Sequence, residues 1–374
     1  MPARSRNKEG LPLLWLGCDA FAWAQLLGRN RFAVRPSRWL AAVLVTATSV
    51  LNTTLRLAQQ VIYRGRVNRT PLRDSPVFIL GHWRTGTTLL HELFACDPRH
   101  AAPTTYQCFA PHHFLISDPW LPRLLLRRAP DRRPMDNMAA GWYRPQEDEF
   151  ALCLLGQPSP YERIAFPNRP EAGAGALDLR GLSRRALRSW ERALSRLVRE
   201  LAYAHRGRRL ILKSPPHTCR IPTLLRLFPD ARFVHIIRDP YEVYASTLKL
   251  WRVLCGTFGW QRPSWDGLPE YIFHTFAIMD QRLEEGRRLV PAGHFHELRY
   301  EDLVRDPPGQ LEHTYRGLGL GDFGPARSPV EVYVAGLKGY EPNRHVLLPE
   351  EREAITRRWG AILERYGYPI RTTA

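Results

Sequence analysis

VFILGHWRTGTTLLHEL, residues 77–93, is the stretch that decides the fold. Val77 to Leu80 form an apolar run of strand length, Gly81 breaks it, and after Gly86 the residues Leu89, Leu90 and Leu93 recur at helical spacing. A glycine turn between a strand and a helix presents backbone N–H groups and a positive dipole end, which suits an anion. Arg84 adds a fixed charge inside the turn, and Thr87 and Thr88 add hydroxyls. A Walker loop, however, places a lysine directly after its second glycine, where it bridges the outer phosphates of a triphosphate. Here that position is Thr87. The turn is therefore expected to hold a donor whose transferred group sits on a single phosphate and needs no metal bridge.

The flanking sequence extends the strand and helix pattern. LIL at 210–212 ends before Pro215, a helix follows near residues 221–227, and RFVHIIRDP at 232–240 begins as another apolar strand. Strands buried on both faces and joined through helices mark a parallel sheet. A helix over 183–205, with Trp190, Leu194, Leu197 and Leu201 on one stripe, reads as a crossover. The C-terminal helix runs from Pro349 to Tyr366, buries Ile355, Trp359, Ile362 and Tyr366, and ends at Gly367. Residues 103–172 are rich in proline and aromatic residues, have few regular signals, and read as a segment wrapped around a site. The predicted fold class is α/β: a P-loop-like central parallel β-sheet flanked by helices, with a helical N-terminal extension over residues 1–70 and the main domain over 71–374.

With 374 residues and 44% hydrophobic content, the chain can bury a sizeable core. The net charge of +18 favours an anionic partner, whether nucleotide, nucleic acid, membrane surface or sulfated product. Only four of the 54 basic residues are lysines, and the arginines are spread along the whole chain rather than gathered into a nucleic-acid stripe. Six scattered cysteines without a CxxC pair fit a reduced cytoplasmic protein without structural zinc. His294 and His296 alternate in a strand with no further ligand nearby, so no metal is expected. Arg4, Arg6 and Lys8 before LPLLWLG imitate a signal peptide, but Cys18 and Asp19 cut the apolar run short. WLAAVLVTATSVL at 39–51 falls short of a membrane span and reads first as a packed helix; a helix lying on a membrane or lining a greasy acceptor pocket is the second reading.

GHWRTGTT at 81–88, LKSPPH at 212–217 and RDPYEVYAS at 238–246, taken in order, resemble the sulfotransferases that use 3′-phosphoadenosine 5′-phosphosulfate (PAPS). The likeness is greatest to the broad bacterial type similar to tyrosylprotein sulfotransferases, and it runs from about residue 76 to residue 370. The resemblance implies that Arg84, Thr85, Gly86, Thr87 and Thr88 bind the 5′-phosphosulfate, and that Arg238 and Ser246 hold the 3′-phosphate. It implies that Lys213 stabilises the bridging oxygen or the sulfuryl group, and that Lys338, in GLKGYEPNRH, belongs to a late loop over the 3′-phosphate and adenine. The residues support these roles independently. Arg238 ends a strand at the carboxyl edge where ligands collect, and Asp239 and Pro240 suit the cap and first position of a helix.

Sulfuryl transfer to a hydroxyl also needs a proton acceptor. Cytosolic relatives carry a histidine two residues after the lysine, where this chain has Pro215, and His217 stands two residues further on. The tyrosylprotein enzymes carry a glutamate near the stretch that is PTTYQ here, which has no carboxylate. The remaining candidates are Glu147, Asp148 and Glu149 of PQEDEF, and His112 and His113 of FAPHHF, with Glu147 first. Three acids ahead of an apolar helix also fit a plain helix N-terminus. The expected activity is metal-independent sulfuryl transfer from PAPS to a hydroxyl of a carbohydrate, lipid, peptide tyrosine or small metabolite, leaving 3′-phosphoadenosine 5′-phosphate. The aromatic stretch from Tyr106 to Tyr161 and the apolar N-terminal helix favour a large or lipid-like acceptor. The expected location is cytoplasmic, with peripheral membrane contact through that helix and no nucleic-acid partner. The alternatives are a P-loop kinase using Mg-ATP and a basic nucleic-acid-binding protein.

Overall fold

The computed structural model describes residues 13–125, 141–169, 173, 175–337 and 346–371. Five strands, β1 (Val77–Leu80), β2 (His100–Ala101), β3 (Arg209–Lys213), β4 (Arg232–Ile237) and β5 (Phe295–Arg299), form one sheet in the order β2-β3-β1-β4-β5. Every pair is parallel. Pairing of Ile79 with Lys213 and of Leu80 with His235 brings the carboxyl ends of β3, β1 and β4 side by side. The segments beginning at Gly81, Ser214 and Arg238 thus leave the sheet at one edge, where ligands bind in open parallel sheets.

The pleat of β1 divides the core. Phe78 and Leu80 face Trp190, Leu194, Leu197 and Leu201 of the helix Arg184–Ala204, which is the crossover stripe read from the sequence. Val77 and Ile79 face the other way, toward Leu90, Leu93, Phe94 and Tyr315. Both faces of the sheet are therefore covered, as an all-parallel sheet requires. Residues 103–172 are more regular than their composition suggests. Their described part includes the short helices Thr105–Phe109, Phe114–Ser117, Asp148–Leu154 and Glu162–Ala165.

Three helices matter for the site: α1 (Ala20–Arg29), α2 (Trp39–Arg69) and α3 (Thr87–Ala95). Leu14, Trp15, Trp23, Leu26 and Val45 share one core cluster with Trp83, Trp251 and Trp359. The packed helix expected at 39–51 is in fact 31 residues long. Ser49, Asn52 and Gln59 are buried, while Leu40 (84%), Val43 (65%) and Val61 (86%) are exposed. Asn52 donates to the carbonyls of Leu16 (2.7 Å) and Cys18 (2.8 Å), and Gln59 Oε1 accepts from the Leu115 N–H. These polar positions interrupt the apolar run and made the segment read short. In space they lie on the inner face beside Ala41, Val45 and Val67, while large apolar residues stay on the outer face, a departure from the usual amphipathic arrangement.

Several histidines are locked inside. Burial lowers His82, His100 and His113 to about 4 and His91 to about 3. The fold keeps these rings neutral, whereas the unfolded chain takes up a proton on each below about 6.5. Their contribution is complete above that value and is lost as pH falls toward about 4, by about 1.4 kcal/mol per histidine and pH unit. Melting temperature is expected to be flat near neutrality and to drop steeply below about pH 6.5. An unchanged melting temperature on acidification to about pH 5 would contradict neutral burial.

Candidate active site

The turn after β1 is held from beneath. The Gly81 N–H donates to Thr218 Oγ1 (2.8 Å), and Thr85 Oγ1 donates to the His82 carbonyl (2.8 Å). Gly86 takes φ of 100° as the residue before α3, and Arg84 takes φ of 72°. The lysine missing from the turn arrives from the neighbouring strand. Lys213, 1% exposed at the end of β3, places Nζ 3.4 Å from Thr88 Oγ1 on the first turn of α3. Strand pairing thus supplies the cation that a Walker loop carries in its own chain segment.

The same Nζ lies 2.7 Å from Glu147 Oε1. Glu147 is the residue before the helix Asp148–Leu154 and is 8% exposed, so the pair is largely removed from water. Its second oxygen accepts from the Tyr161 hydroxyl, which in turn accepts from Trp83 Nε1 at 3.0 Å. Burial and the adjacent carboxylate push the Tyr161 phenol well above its ordinary range, so it remains a donor. Trp83, Tyr161, Glu147, Lys213 and Thr88 form one continuous polar chain across the strand ends. Tyr161 and Trp83 were not assigned roles from the sequence, because nothing in their spacing relates them to Glu147.

The three successive acids have separate partners. Asp148 meets His217 Nε2 at 2.7 Å and accepts from Ser214 Oγ at 2.9 Å. Burial alone would raise its carboxyl, but the histidine and serine hold it below the usual carboxylate range. Glu149 pairs with Arg220 and accepts from Ser159 Oγ at 2.7 Å, and its own N–H donates to Ser214 Oγ at 2.9 Å. Arg220 also lies 4.8 Å over the Trp190 ring. None of the three side chains caps the helix. Glu147 faces Lys213, while Asp148 and Glu149 fasten the wrapping segment to the turn after β3.

The two expected phosphate anchors are in direct contact. Arg84 Nε donates to Ser246 Oγ at 2.8 Å, and an Arg238 NH group donates to the Arg84 carbonyl at 3.2 Å. The Arg238 guanidinium stacks 4.3 Å over Tyr300. Asp239 caps the helix Pro240–Phe258 by accepting from the Tyr241 N–H, which fixes the position of Ser246 on the second turn. The histidine pair lies elsewhere. His112 accepts from the Asp19 N–H and contacts the Leu154 carbonyl, and His113 bonds Ser117 and Asn52. Both tie the N-terminal helices to the wrapping segment, and burial lowers His112 as it does His113. Lys338 lies outside the described residues.

The sequence model described as "Sulfotransferase family" matches residues 76–323, which hold the turn, Lys213, Glu147 and Arg238. The chain belongs to that family. This sulfotransferase is 47% identical over 368 residues to the omega-hydroxy-beta-dihydromenaquinone-9 sulfotransferase Stf3 of Mycobacterium tuberculosis (strain CDC 1551 / Oshkosh), covering 98% of this chain and 94% of the relative. The protein of the same name from Mycobacterium bovis (strain ATCC BAA-935 / AF2122/97) matches to the same extent. Among solved structures, sulfotransferase STF9 from Mycobacterium avium superposes with a TM-score of 0.70 at 20% identity, over 99% of this chain and 100% of that one. Sulfotransferase STF1 from Mycobacterium tuberculosis H37Rv does so at 0.61 and 20%, over 87% and 88%. At that identity the two structures speak for the fold alone.

Gly86 is a sensitive point of this sulfotransferase. A Cβ there would lie 2.3 Å from Tyr300 Cδ2, the ring that supports Arg238, and its positive φ strains any other residue. Gly86→Ala is expected to reduce unfolding free energy by about 2–4 kcal/mol in a denaturant titration. A loss below about 1 kcal/mol would mean that the turn relaxes without moving Tyr300.

Proposed function

We propose that this sulfotransferase moves the sulfuryl group of PAPS to the hydroxyl of an isoprenoid quinone lipid, a menaquinone derivative, at a membrane surface. The donor suits the residues present. The turn from Arg84 to Thr88 would hold the 5′-phosphosulfate through N–H groups and hydroxyls, and Arg238 with Ser246 would hold the 3′-phosphate. Lys338 is assigned to the same nucleotide from its sequence context. A bond forms between the acceptor oxygen and sulfur while the bond from sulfur to the phosphate oxygen breaks. Glu147, oriented by Tyr161, receives the hydroxyl proton, and Lys213 offsets the charge that develops on the departing oxygen.

The observation that carries the acceptor class is α2, which buries the polar Ser49, Asn52 and Gln59 beside Ala41, Val45 and Val67 and exposes large apolar residues, among them Leu40, Val43, Leu51 and Val61. The span Pro36–Arg69 is long and apolar enough to cross a membrane, with mean hydropathy 1.4 over its most apolar window and only 22% of that window buried. Because one face stays packed on the protein along its length, α2 suits a helix lying in the interface better than one crossing it. A relative of nearly equal length named for a long-chain quinone acceptor supports the same reading. We place the enzyme in the cytoplasm, docked on the membrane. Transfer from labelled PAPS is expected to favour omega-hydroxylated isoprenoid quinones in vesicles over soluble sugars and tyrosine peptides. Efficient labelling of soluble sugars with none on the lipids would contradict it.

A further inference from the structure

A cleft of about 700 Å³ runs between the C-terminal half of α2 and the helix Arg184–Ala204, apart from the sulfotransferase centre. It is lined by five arginines: Arg64, Arg188, Arg192, Arg196 and Arg199. Its two carboxylates are already engaged, Glu200 with Arg196 at 2.8 Å and Glu191 with Arg226. Arg64, Arg188, Arg192 and Arg199 have no ion-pair partner among the described residues. Four like charges around one concavity create a strong positive potential that an anion would relieve. Gln60, Asn68 and Ser195 add neutral hydrogen-bonding groups.

The position of the cleft selects the kind of anion. Arg64 stands three residues after Val61 and seven after Leu57, so the basic cleft and the exposed apolar stripe of α2 meet along one line. A small free anion would satisfy the arginines alone, whereas an anionic lipid satisfies both surfaces. Residues 20–73, which include all of α1 and α2, contain nine arginines and no aspartate or glutamate, as a segment drawn to an anionic leaflet would. We infer that this cleft binds the phosphodiester headgroup of an anionic phospholipid, with the acyl chains along the apolar face of α2. The inference rests on the reading of α2 as a membrane-surface helix and adds a defined headgroup site to it.

The test uses the full chain and two probes. In flotation with phosphatidylcholine vesicles containing phosphatidylglycerol, the triple variant Arg188→Gln, Arg192→Gln and Arg199→Gln is expected to lose about a hundredfold in partition, at about fivefold per arginine. The control triple Arg288→Gln, Arg316→Gln and Arg357→Gln removes the same charge outside the cleft and is expected to bind nearly as wild type. In calorimetric titration, short-chain phosphatidylglycerol below its micellar concentration is expected to saturate one site on wild type and none on the cleft triple. Equal losses in the two triples, or inorganic phosphate binding as tightly as the lipid, would overturn the inference. Wild type that ignores all vesicles would sink the reading of α2 itself. Stabilisation by 3′-phosphoadenosine 5′-phosphate should be the same in every variant, which separates this site from the donor site.

Discussion

Lys213→Met is expected to lower kcat about a thousandfold while leaving the protein able to bind its donor nucleotide. Ile79 lies opposite Lys213 in the paired strands, and the ammonium therefore reaches Thr88 at the start of α3. A buried cation at that point acts on charge that develops only as the sulfur to phosphate-oxygen bond breaks, so its loss falls on the chemical step. Methionine keeps much of the stem volume. Glu147 is then left without its cation, which costs about 3–5 kcal/mol of stability. The double variant Lys213→Met with Glu147→Gln removes the orphaned charge and should regain much of that stability with no regain of rate. A folded Lys213→Met enzyme within about tenfold of wild-type kcat would remove Lys213 from the mechanism.

Glu147→Gln is the second large effect, with kcat expected to fall by about 10²–10⁴. Glutamine has nearly the same shape and can still accept from Lys213, but it cannot take a proton from an acceptor hydroxyl. Donor affinity should therefore hold, and Glu147→Asp, which keeps a carboxylate on a shorter arm, should retain more rate than the amide. Tyr161→Phe gives a comparison of another kind. It deletes the bond to the second carboxylate oxygen and leaves the base, so its loss should be smaller than that of Glu147→Gln. Rates from single-turnover measurements distinguish these cases. A glutamine variant as fast as wild type would transfer the proton-accepting role to another group.

The architecture was legible because its signals are local. The run from Val77 to Leu80, the glycine turn and the leucines of α3 each follow from spacing, and the carboxyl-edge position of Arg238 follows from the strand that precedes it. Partners far apart in sequence were not legible in the same way. Glu147, Asp148 and Glu149 are consecutive, yet one meets Lys213, the next His217 and the last Arg220. Successive residues at the start of a helix point about 100° apart, so their targets depend on how the wrapping segment crosses the strand ends. Tyr161 was hidden for the same reason. The length of α2 was hidden by the usual rule that polar residues face outward, which Asn52 and Gln59 break by bonding the Leu16, Cys18 and Leu115 backbone.

In the proposed mechanism one nucleotide is gripped at two anionic ends, by the turn bearing Arg84 and by Arg238 with Ser246, which already touch. Magnesium-free melting curves with 3′-phosphoadenosine 5′-phosphate and with adenosine 5′-phosphate, on wild type and on Arg238→Ala, test it most directly. Strong stabilisation of wild type by the bisphosphate and far less by the monophosphate is expected, with that difference abolished in Arg238→Ala. Equal stabilisation of wild type by the two nucleotides, or stabilisation by Mg-ATP alone, would contradict it.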